Sequence, residues 1–232
     1  MVDNWNDKKI IVAGSEGFLG GIICSHFEKL GCQVICLDLE LGQDLTQEKV
    51  VVELMEKHAG AHGLVTPFAL NPQPEEYSWD LFNMPLESLE KYLRVNLLAL
   101  FSVCREFAKN CVDAAAIVNF SSVYGIRSPK HFIYPNKFVK HIGYSITKAG
   151  VIGLSQYLAT YLAPRIRVNT IVPGGVANEQ KSDFINEYSL MTPMKRMMEK
   201  EEILGAVTYL LSDSASYTTG SVLTVDGGWT TW

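Results

Sequence analysis

The sequence has no long apolar run and no excess of positive charge. One long loop, 126–143, also contains no acidic side chain. The sequence contains no stretch of about 18 uninterrupted apolar residues, so we predict no membrane-spanning helix and no membrane partner. A formal net charge of -5 argues against nucleic acid as a main partner. The first residues are polar and lead directly into a strand-like run, which is unlike a signal peptide. We therefore expect a cytoplasmic protein.

The sequence is also poor in cysteine. Its five cysteines are odd in number and stand mostly in apolar segments: Cys24, Cys32, Cys36, Cys104 and Cys111. We interpret them as reduced thiols, as in cytosolic proteins. Cys32 and Cys36 could begin a metal site, but we interpret them as ordinary thiols and expect no metal.

Apolar residues are abundant instead, at 47% of 232 residues, which suffices for the core of one domain spanning 1–232. Short runs rich in β-branched residues alternate with longer helical patterns. This alternation predicts an α/β fold, namely a single-domain Rossmann-type doubly wound parallel sheet with helices on both faces. The predicted strands cover 9–13, 33–37, 64–70, 116–120, 165–172 and 222–225, and long helices are predicted over 86–111 and 144–162.

A glycine-rich string follows the first predicted strand and opens the first helix. Gly14 permits a tight turn, Gly17 lets backbone approach a pyrophosphate, and Gly20 lets the helix pack closely on the strand. Such a string is weak evidence alone, but here it lies within a βαβ unit and an acid, Asp38, ends the second strand. The pattern predicts a dinucleotide site.

Asp38 also indicates which dinucleotide binds. A carboxylate there can accept hydrogen bonds from the adenosine ribose hydroxyls and would repel a 2′-phosphate. None of the neighbours is basic: Ser15, Glu16, Leu39 and Glu40. We therefore predict NAD rather than NADP, the alternative being that Asp38 is an ordinary turn residue. Asp44 and Leu45 follow after a short loop and could contact adenine, or Asp44 could cap the next helix.

Tyr144 and Lys148 stand four positions apart at the start of a helical pattern, so they share one face of the helix. A phenol has a pKa of about 10, and a nearby ammonium favours the phenolate, which would allow Tyr144 to act as a base near neutral pH. A pair at this spacing is more often an ordinary Tyr and Lys. Four other features end predicted strands and should meet at one sheet edge: the glycine string, Asp38, Ser121-Ser122 and Pro173-Gly174.

With these motifs the chain resembles the short-chain dehydrogenases/reductases over essentially its whole length. The matching segments are the glycine string, 95–96, 121–122, 144–150, 167–174 and 219–228. The resemblance implies an NAD-dependent enzyme that transfers a hydride between NAD(H) and a secondary hydroxyl or keto group. The implied catalytic residues are Asn96, Ser122, Tyr144 and Lys148. The implied cofactor-binding residues are Gly14, Ser15, Gly17, Phe18, Leu19, Gly20, Asp38, Asp44, Leu45, Tyr144, Lys148, Pro173, Gly174 and Val176.

The resemblance also implies a role for each catalytic residue. Ser122 would hydrogen-bond the substrate oxygen and Tyr144 would exchange the hydroxyl proton. Lys148 would hold the nicotinamide ribose and bias Tyr144 towards phenolate. Asn96 would hold a water that links Lys148 to solvent.

The chain departs from the usual family pattern at several points. Its glycines run GxxGxxG, as in the sugar-nucleotide epimerase and dehydratase branch, although we expect no C-terminal substrate domain of that branch. Thr66 to Ala69 replace the usual Asn-Asn-Ala-Gly, and Asn178 stands where a threonine is common. The alternatives to a dehydrogenase are therefore an NAD-using sugar-nucleotide epimerase or dehydratase, and a non-catalytic NAD-binding regulator.

The spacing from Ser122 to Tyr144 is longer than usual, and the extra residues form the loop without acids, 126–143. It is either an ordinary solvated loop or a binding segment for a phosphorylated or acidic substrate. The candidate cations are Arg127, Lys130, Lys137 and Lys140. This loop and the chain's ending resemble bacterial oxidoreductases of flagellin modification and surface-sugar biosynthesis, which implies a nucleotide sugar as substrate.

Two expectations concern larger units. Segment 177–198 carries few regular patterns, and we expect it to close over the substrate as a lid. The family resemblance implies a homo-oligomer, a tetramer or a dimer, and the apolar faces of helices at 90–110 and 149–162 could pack across a two-fold axis.

Overall fold

The computed structural model describes residues 4–71, 80–134 and 138–232. Their strands form one parallel sheet of six strands in the order β2-β1-β3-β4-β5-β6, which confirms the predicted fold class. The strands are β1 Lys9–Ala13, β2 Gln33–Leu37, β3 Gly63–Thr66, β4 Ala115–Phe120, β5 Ile166–Pro173 and β6 Val222–Val225.

Helices cover both faces of this sheet. They are α1 Phe18–Lys29, α2 Glu48–Lys57, α3 Leu86–Leu93, α4 Leu100–Asn110, α5 Ile142–Leu162, α6 Ser182–Leu190 and α7 Leu204–Leu211. On one face α2, α4 and α5 bury Val51, Phe107 and Leu158 against the sheet. On the other face α1 and α7 bury Phe27 and Leu210. Because each central strand is covered on both sides, its sequence is apolar throughout rather than alternating.

Three elements of the fold differ from the sequence predictions. The strand predicted over 64–70 ends at Thr66, because Pro67 has no amide hydrogen to extend the ladder. The single helix predicted over 86–111 is interrupted by a π-helical turn, Arg94–Ala99, between α3 and α4. The segment 177–198 contains a regular helix, α6, which the sequence patterns did not indicate. Closure of this segment as a lid stays a prediction.

The chain topology brings the loops after β1, β2, β3, β4 and β5 to one edge of the sheet. In a parallel sheet this edge is where ligands bind, because the helices that follow the strands present their N-termini there. The helices α1 and α5 both begin at this edge. Helix α1 begins within the glycine string, and α5 begins just before Tyr144. Among the described helices, none combines the length and the apolar character required to cross a bilayer.

Candidate active site

A cleft of about 940 Å³ runs along this sheet edge. Nearly all of the predicted site residues line it: Gly14, Gly17, Phe18, Leu19, Gly20, Asp38, Asp44, Leu45, Ser122, Tyr144, Lys148, Pro173, Gly174 and Val176. Ser15 and Asn96 are buried and lie outside the lining. The volume is at the upper end of the range for ligand sites and suits a large ligand or two ligands side by side.

The glycine turn is built so that backbone forms the cleft wall. Gly14 has a φ of +94°, and a Cβ there would lie 2.7 Å from the Cβ of Phe68. A Cβ on Gly20 would lie 1.8 Å from the carbonyl oxygen of Gly14, so α1 can pack against the turn only without a side chain at this position. Gly17 is the N-cap of α1, and the first turn of that helix holds no acid. The helix therefore offers free amide donors and a positive dipole to an anion.

Asp38 closes the cleft beyond this turn. Its Oδ2 accepts a hydrogen bond from the Glu16 amide at 3.0 Å, and its Oδ1 accepts one from the Glu40 amide at 3.0 Å. These two bonds fix the carboxylate at the end of β2. The neighbouring lining residues carry no positive charge: Glu16, Leu39, Glu40 and Gln43.

Asp44 lies in the turn before α2 and does not cap that helix, whose N-cap residue is Gln47. Its Oδ1 accepts hydrogen bonds from the Thr46 amide at 2.9 Å and from the Thr46 hydroxyl at 2.7 Å, so it orders the turn before α2. The Thr46 hydrogen bonds hold the pKa of Asp44 below its usual value. Asp44 and Leu45 also line the cleft, beside Asp38.

Ser122, Tyr144 and Lys148 meet at the other side of the cleft. Ser122 follows β4, and its Oγ accepts a hydrogen bond from the Tyr124 amide at 3.2 Å. The same side chain lies beside the Tyr144 phenol and lowers the pKa of that phenol. Lys148 lies one helical turn after Tyr144, with its Nζ 5.9 Å from the centroid of the Tyr144 ring. The Lys148 Nζ donates to the carbonyl oxygen of Phe120 at 2.7 Å, which ties the ammonium to the end of β4.

A second set of contacts fixes α5 against β4 and thereby sets this geometry. The Ser121 hydroxyl donates to the Lys148 carbonyl oxygen at 2.7 Å. A Cβ on Gly125 would lie 2.7 Å from that same carbonyl oxygen, so the short helix Val123–Gly125 can approach α5 only with glycine at its end. The string Ser121 to Gly125 is therefore a packing motif as well as the source of Ser122.

Burial dominates the electrostatics of the Tyr144 and Lys148 pair. Burial raises the pKa of Tyr144, and the neighbouring Ser122 side chain offsets only part of this rise. Burial also lowers the pKa of Lys148 to about 7. The expectation that Lys148 brings a net lowering of the Tyr144 pKa is thus wrong for the protein by itself. Desolvation disfavours the charged forms of both groups. The Lys148 ammonium, which was expected to stabilise the Tyr144 phenolate, is therefore itself less stable than in water.

Asn96 joins three segments of the chain through its side chain. Its Oδ1 accepts from the Leu70 amide at 2.7 Å, and its Nδ2 donates to the Leu70 carbonyl at 3.2 Å and to the Thr147 hydroxyl at 3.1 Å. Both amide hydrogens are therefore used within the protein, and they connect the π-helical turn, the segment after β3 and α5. The water contact of Asn96 stays a prediction.

The cations of the loop 126–143 contact different parts of the molecule. Arg127 donates to the Thr230 carbonyl oxygen at 3.1 Å, and the Lys130 Nζ lies 4.7 Å from the centroid of the Trp229 ring. Both residues pack against Trp229 and Thr230 and do not line the cleft, which favours a structural role for these two cations over contact with substrate. Lys137 lies outside the described residues. Lys140 lines the cleft beside Tyr144.

Aromatic side chains that sequence reasoning missed form the wall facing Ser122 and Tyr144. The hydroxyls of Tyr124 and Tyr134 are 2.8 Å apart, and Phe184 packs on Tyr134 with ring centroids separated by 5.1 Å. The Tyr188 hydroxyl accepts a hydrogen bond from the Gly175 amide. Tyr124 stands inside a motif that was noticed, but its position in the cleft depends on a partner in the long loop. Tyr188 could not be placed without α6.

The comparisons with known proteins agree with this geometry. The family model described as Enoyl-(Acyl carrier protein) reductase matches residues 21–230. Post-translational flagellin modification protein A of Campylobacter coli is 29% identical over 259 residues, covering 99% of each chain. D-arabinitol 2-dehydrogenase (ribulose-forming) of Candida tropicalis is 33% identical over 271 residues, covering 97% of this chain and 93% of that protein.

A solved structure gives the same result in three dimensions. The short-chain dehydrogenase of Leptospira borgpetersenii with bound NAD+ superposes with a TM-score of 0.84 and 27% identity, covering 97% of this chain and 93% of the other. A similarity that extends over nearly the full length, with the Ser122, Tyr144 and Lys148 cluster at the expected sheet edge, leads to one conclusion. The chain belongs to the short-chain dehydrogenase/reductase family of oxidoreductases.

Proposed function

We propose that this protein is an NAD-dependent oxidoreductase that transfers a hydride between NAD(H) and a secondary hydroxyl or keto group of a nucleotide-linked or acidic sugar. The observation that carries the proposal is the cluster of Ser122, Tyr144 and Lys148 in the cleft, where the Ser122 side chain lies beside the Tyr144 phenol and Lys148 is one helical turn away. A proton donor and acceptor is thereby placed beside a second hydroxyl that can hold the substrate oxygen.

The cleft fits a dinucleotide on its own features. The glycine turn leaves space where side chains would stand, and the N-terminus of α1 opens onto that space. Asp38, held by two backbone amides, offers a carboxylate to a ribose diol and repels a 2′-phosphate. The bound NAD+ in the Leptospira borgpetersenii relative supports the same assignment. NAD, when bound, would supply the acceptor and donor of hydride.

The protein's own part is to orient the substrate and to move one proton. In the oxidation direction Tyr144 accepts the hydroxyl proton of the substrate, and in the reduction direction it returns that proton to the oxygen. Ser122 donates a hydrogen bond to the same oxygen and stabilises the charge that develops there. A protonated Lys148 stabilises the Tyr144 phenolate, and the phenolate in turn makes it easier for Lys148 to hold its proton. Each charge thus offsets part of the desolvation of the other.

The proposal of a sugar substrate has two kinds of support. Relatives named for sugars or polyols include an L-xylulose reductase of Caenorhabditis elegans, 29% identical, and the D-arabinitol 2-dehydrogenase described above. The substrate side of the cleft has a wall of tyrosine and phenylalanine rings that carries two hydroxyls hydrogen-bonded to each other, which suits a molecule with apolar faces and polar edges.

Cofactor selectivity tests the assignment of NAD. We expect wild-type protein to bind NADH at least tenfold more tightly than NADPH, because the Asp38 carboxylate repels the added phosphate. Asp38→Asn keeps the size of the side chain and removes the charge, so the ratio of the two dissociation constants should fall several-fold. Fluorescence titration of both nucleotides measures it. Preferential NADPH binding by wild-type protein would refute the assignment.

A further inference from the structure

Lys140 places a positive charge inside the cleft, next to the proton-transferring phenol. Its Nζ lies 4.9 Å from the centroid of the Tyr144 ring, closer than the 5.9 Å of Lys148. It comes from the long loop 126–143, whose other described cations bind elsewhere or lie at its surface. Lys140 and Asn71 both line the cleft, and the ammonium donates a hydrogen bond to the Asn71 Oδ1.

This ammonium has a neutral partner where a carboxylate would be usual. Among the described parts of the chain, no ion pair within 4.0 Å includes Lys140. Among the described residues, the acids that line the cleft are Glu16, Asp38, Glu40 and Asp44, which follow β1 and β2, and Glu179, which follows β5, whereas Asn71 follows β3. Burial lowers the pKa of Lys140 to about 8. A negatively charged group beside it would relieve this cost.

We propose that Lys140 is the residue that recognises an anionic group on the substrate sugar itself, a carboxylate or a phosphate ester, while Ser122 and Tyr144 hold the reacting oxygen. The inference rests on the proposed function and deepens it. The Lys140 ammonium has three hydrogens, and the Asn71 Oδ1 accepts one of them, so the ammonium keeps donor capacity for such an anion. The charge belongs on the sugar because Lys140 stands beside Tyr144, at the reacting end of the cleft.

A second reading of the same geometry is that Lys140 acts on Tyr144 and not on the substrate. The two roles differ in what they require of the substrate. If Lys140 only favoured the phenolate, its removal would reduce turnover of neutral and anionic substrates alike. If Lys140 binds the anion, its removal affects the anionic substrate and leaves the neutral one almost unchanged.

The test compares sugars that differ by one charged group. Calorimetry on the complex with NADH, at fixed ionic strength, measures binding of D-glucuronate against D-glucose and of D-ribulose 5-phosphate against D-ribulose. We expect the charged member of at least one pair to bind roughly tenfold to hundredfold more tightly to wild-type protein. Lys140→Met should abolish this preference without weakening NADH binding.

A matched control is available in the same loop. Lys130→Met removes the same charge from a lysine that packs on Trp229 outside the cleft, so it should leave the preference intact. The proposal is overturned if wild-type protein binds neither anion better than its neutral counterpart, or if the preference survives in Lys140→Met. An equal loss of turnover on the neutral and the charged sugar in Lys140→Met, with the preference in binding retained, would show the role on Tyr144 instead.

These outcomes are distinct from a failure of the proposed function. Tyr144-dependent oxidation of a neutral sugar with NAD+ would retain the dehydrogenase and discard only the role of Lys140. Absence of NADH binding by wild-type protein would defeat the proposed function, whatever the sugars do.

Discussion

At the scale of single residues, the site contains two groups whose burial opposes the charges that their chemistry requires. Lys148 is buried with the Phe120 carbonyl as its hydrogen-bond acceptor, and Tyr144 lies beside the Ser122 side chain. A carbonyl stabilises an ammonium less than a carboxylate does, so desolvation prevails and the pKa of Lys148 falls to about 7. The buried ammonium of Lys148 therefore loses its proton more readily than that of an exposed lysine.

This shift of the Lys148 pKa predicts a pH-dependent stability. Between pH about 7 and its ordinary value of 10.5 the unfolded chain binds a proton that the folded protein does not. The free energy of unfolding should therefore rise with pH across this window, by up to roughly 1 kcal/mol per pH unit. This gain in stability is lost again as the pH falls to about 7. Urea unfolding at pH 7 and pH 9 should show a larger rise for wild type than for Lys148→Met.

The control for that comparison is the exposed lysine of α2, Lys49, whose side chain is 89% exposed. Lys49→Met should show the pH dependence of wild type. Equal pH dependence in wild type and Lys148→Met would contradict the burial argument.

At the scale of elements, the junction of β1 and α1 depends on two glycines that approach each other through backbone. The carbonyl of Gly14 occupies the place where a side chain on Gly20 would stand. Backbone on both sides cannot move aside as a flexible side chain would, so the contact fixes where α1 begins and where its amides point. The glycine spacing of this chain, which departs from the usual family pattern, still produces a tight turn followed by a helix.

Gly20→Ala should therefore disturb both packing and cofactor binding. We expect a loss of stability of roughly 1–3 kcal/mol or more from overpacking, with NADH binding weakened at least tenfold. Gly205→Ala is the matched control, since no atom lies within 4 Å of a Cβ at that exposed helical position, and it should stabilise by about 1 kcal/mol. Thermal unfolding and NADH titration of both variants provide the comparison. Wild-type stability and affinity in Gly20→Ala would disprove the packing argument.

At the scale of the whole molecule, several of the exposed apolar side chains lie on α4, α5 and the turn before α4. Leu98 is 60% exposed, Tyr157 65% and Tyr161 73%, and Phe101 and Ile146 are also exposed. The rings of Tyr157 and Tyr161 stack with their centroids 6.1 Å apart. Patches of this kind mark sites of association, and a two-fold interface would pair the patch with itself.

We therefore predict a homo-oligomer, a dimer or a tetramer, in solution. Light scattering after gel filtration should give twice or four times the mass of the chain. The double variant Tyr157→Glu with Tyr161→Glu should lower the mass, because four charges would face each other across a two-fold axis. Phe82→Glu, at another exposed ring outside this patch, should leave the mass unchanged. A monomeric wild-type protein would contradict the prediction.

The extent to which sequence predicts this molecule depends on the range of the interactions involved. The strands and the glycine turn were predictable because their signals are local: short buried runs, turn glycines and helical spacing. The role of Asn96 was not, because its partners Leu70 and Thr147 come from distant segments. The same applies to Arg127, Lys130 and Lys140, which looked equivalent in the loop. The Thr230 carbonyl and the Trp229 ring hold the first two, and only Lys140 reaches the cleft.

The central claim is that Tyr144 exchanges the substrate proton in an NAD-dependent hydride transfer. The most direct test follows NADH absorbance with wild type and Tyr144→Phe on a panel of nucleotide sugars, sugar acids and neutral polyols, with NAD+ and NADP+ in parallel. We predict turnover with NAD+ by wild type, a loss of roughly 10²-fold or more in kcat for Tyr144→Phe, and nearly unchanged NADH binding by that variant. Full activity of Tyr144→Phe would contradict the assignment of Tyr144. Tight NADH binding by wild type without turnover of any compound in the panel would contradict the proposed sugar dehydrogenase and favour a regulator.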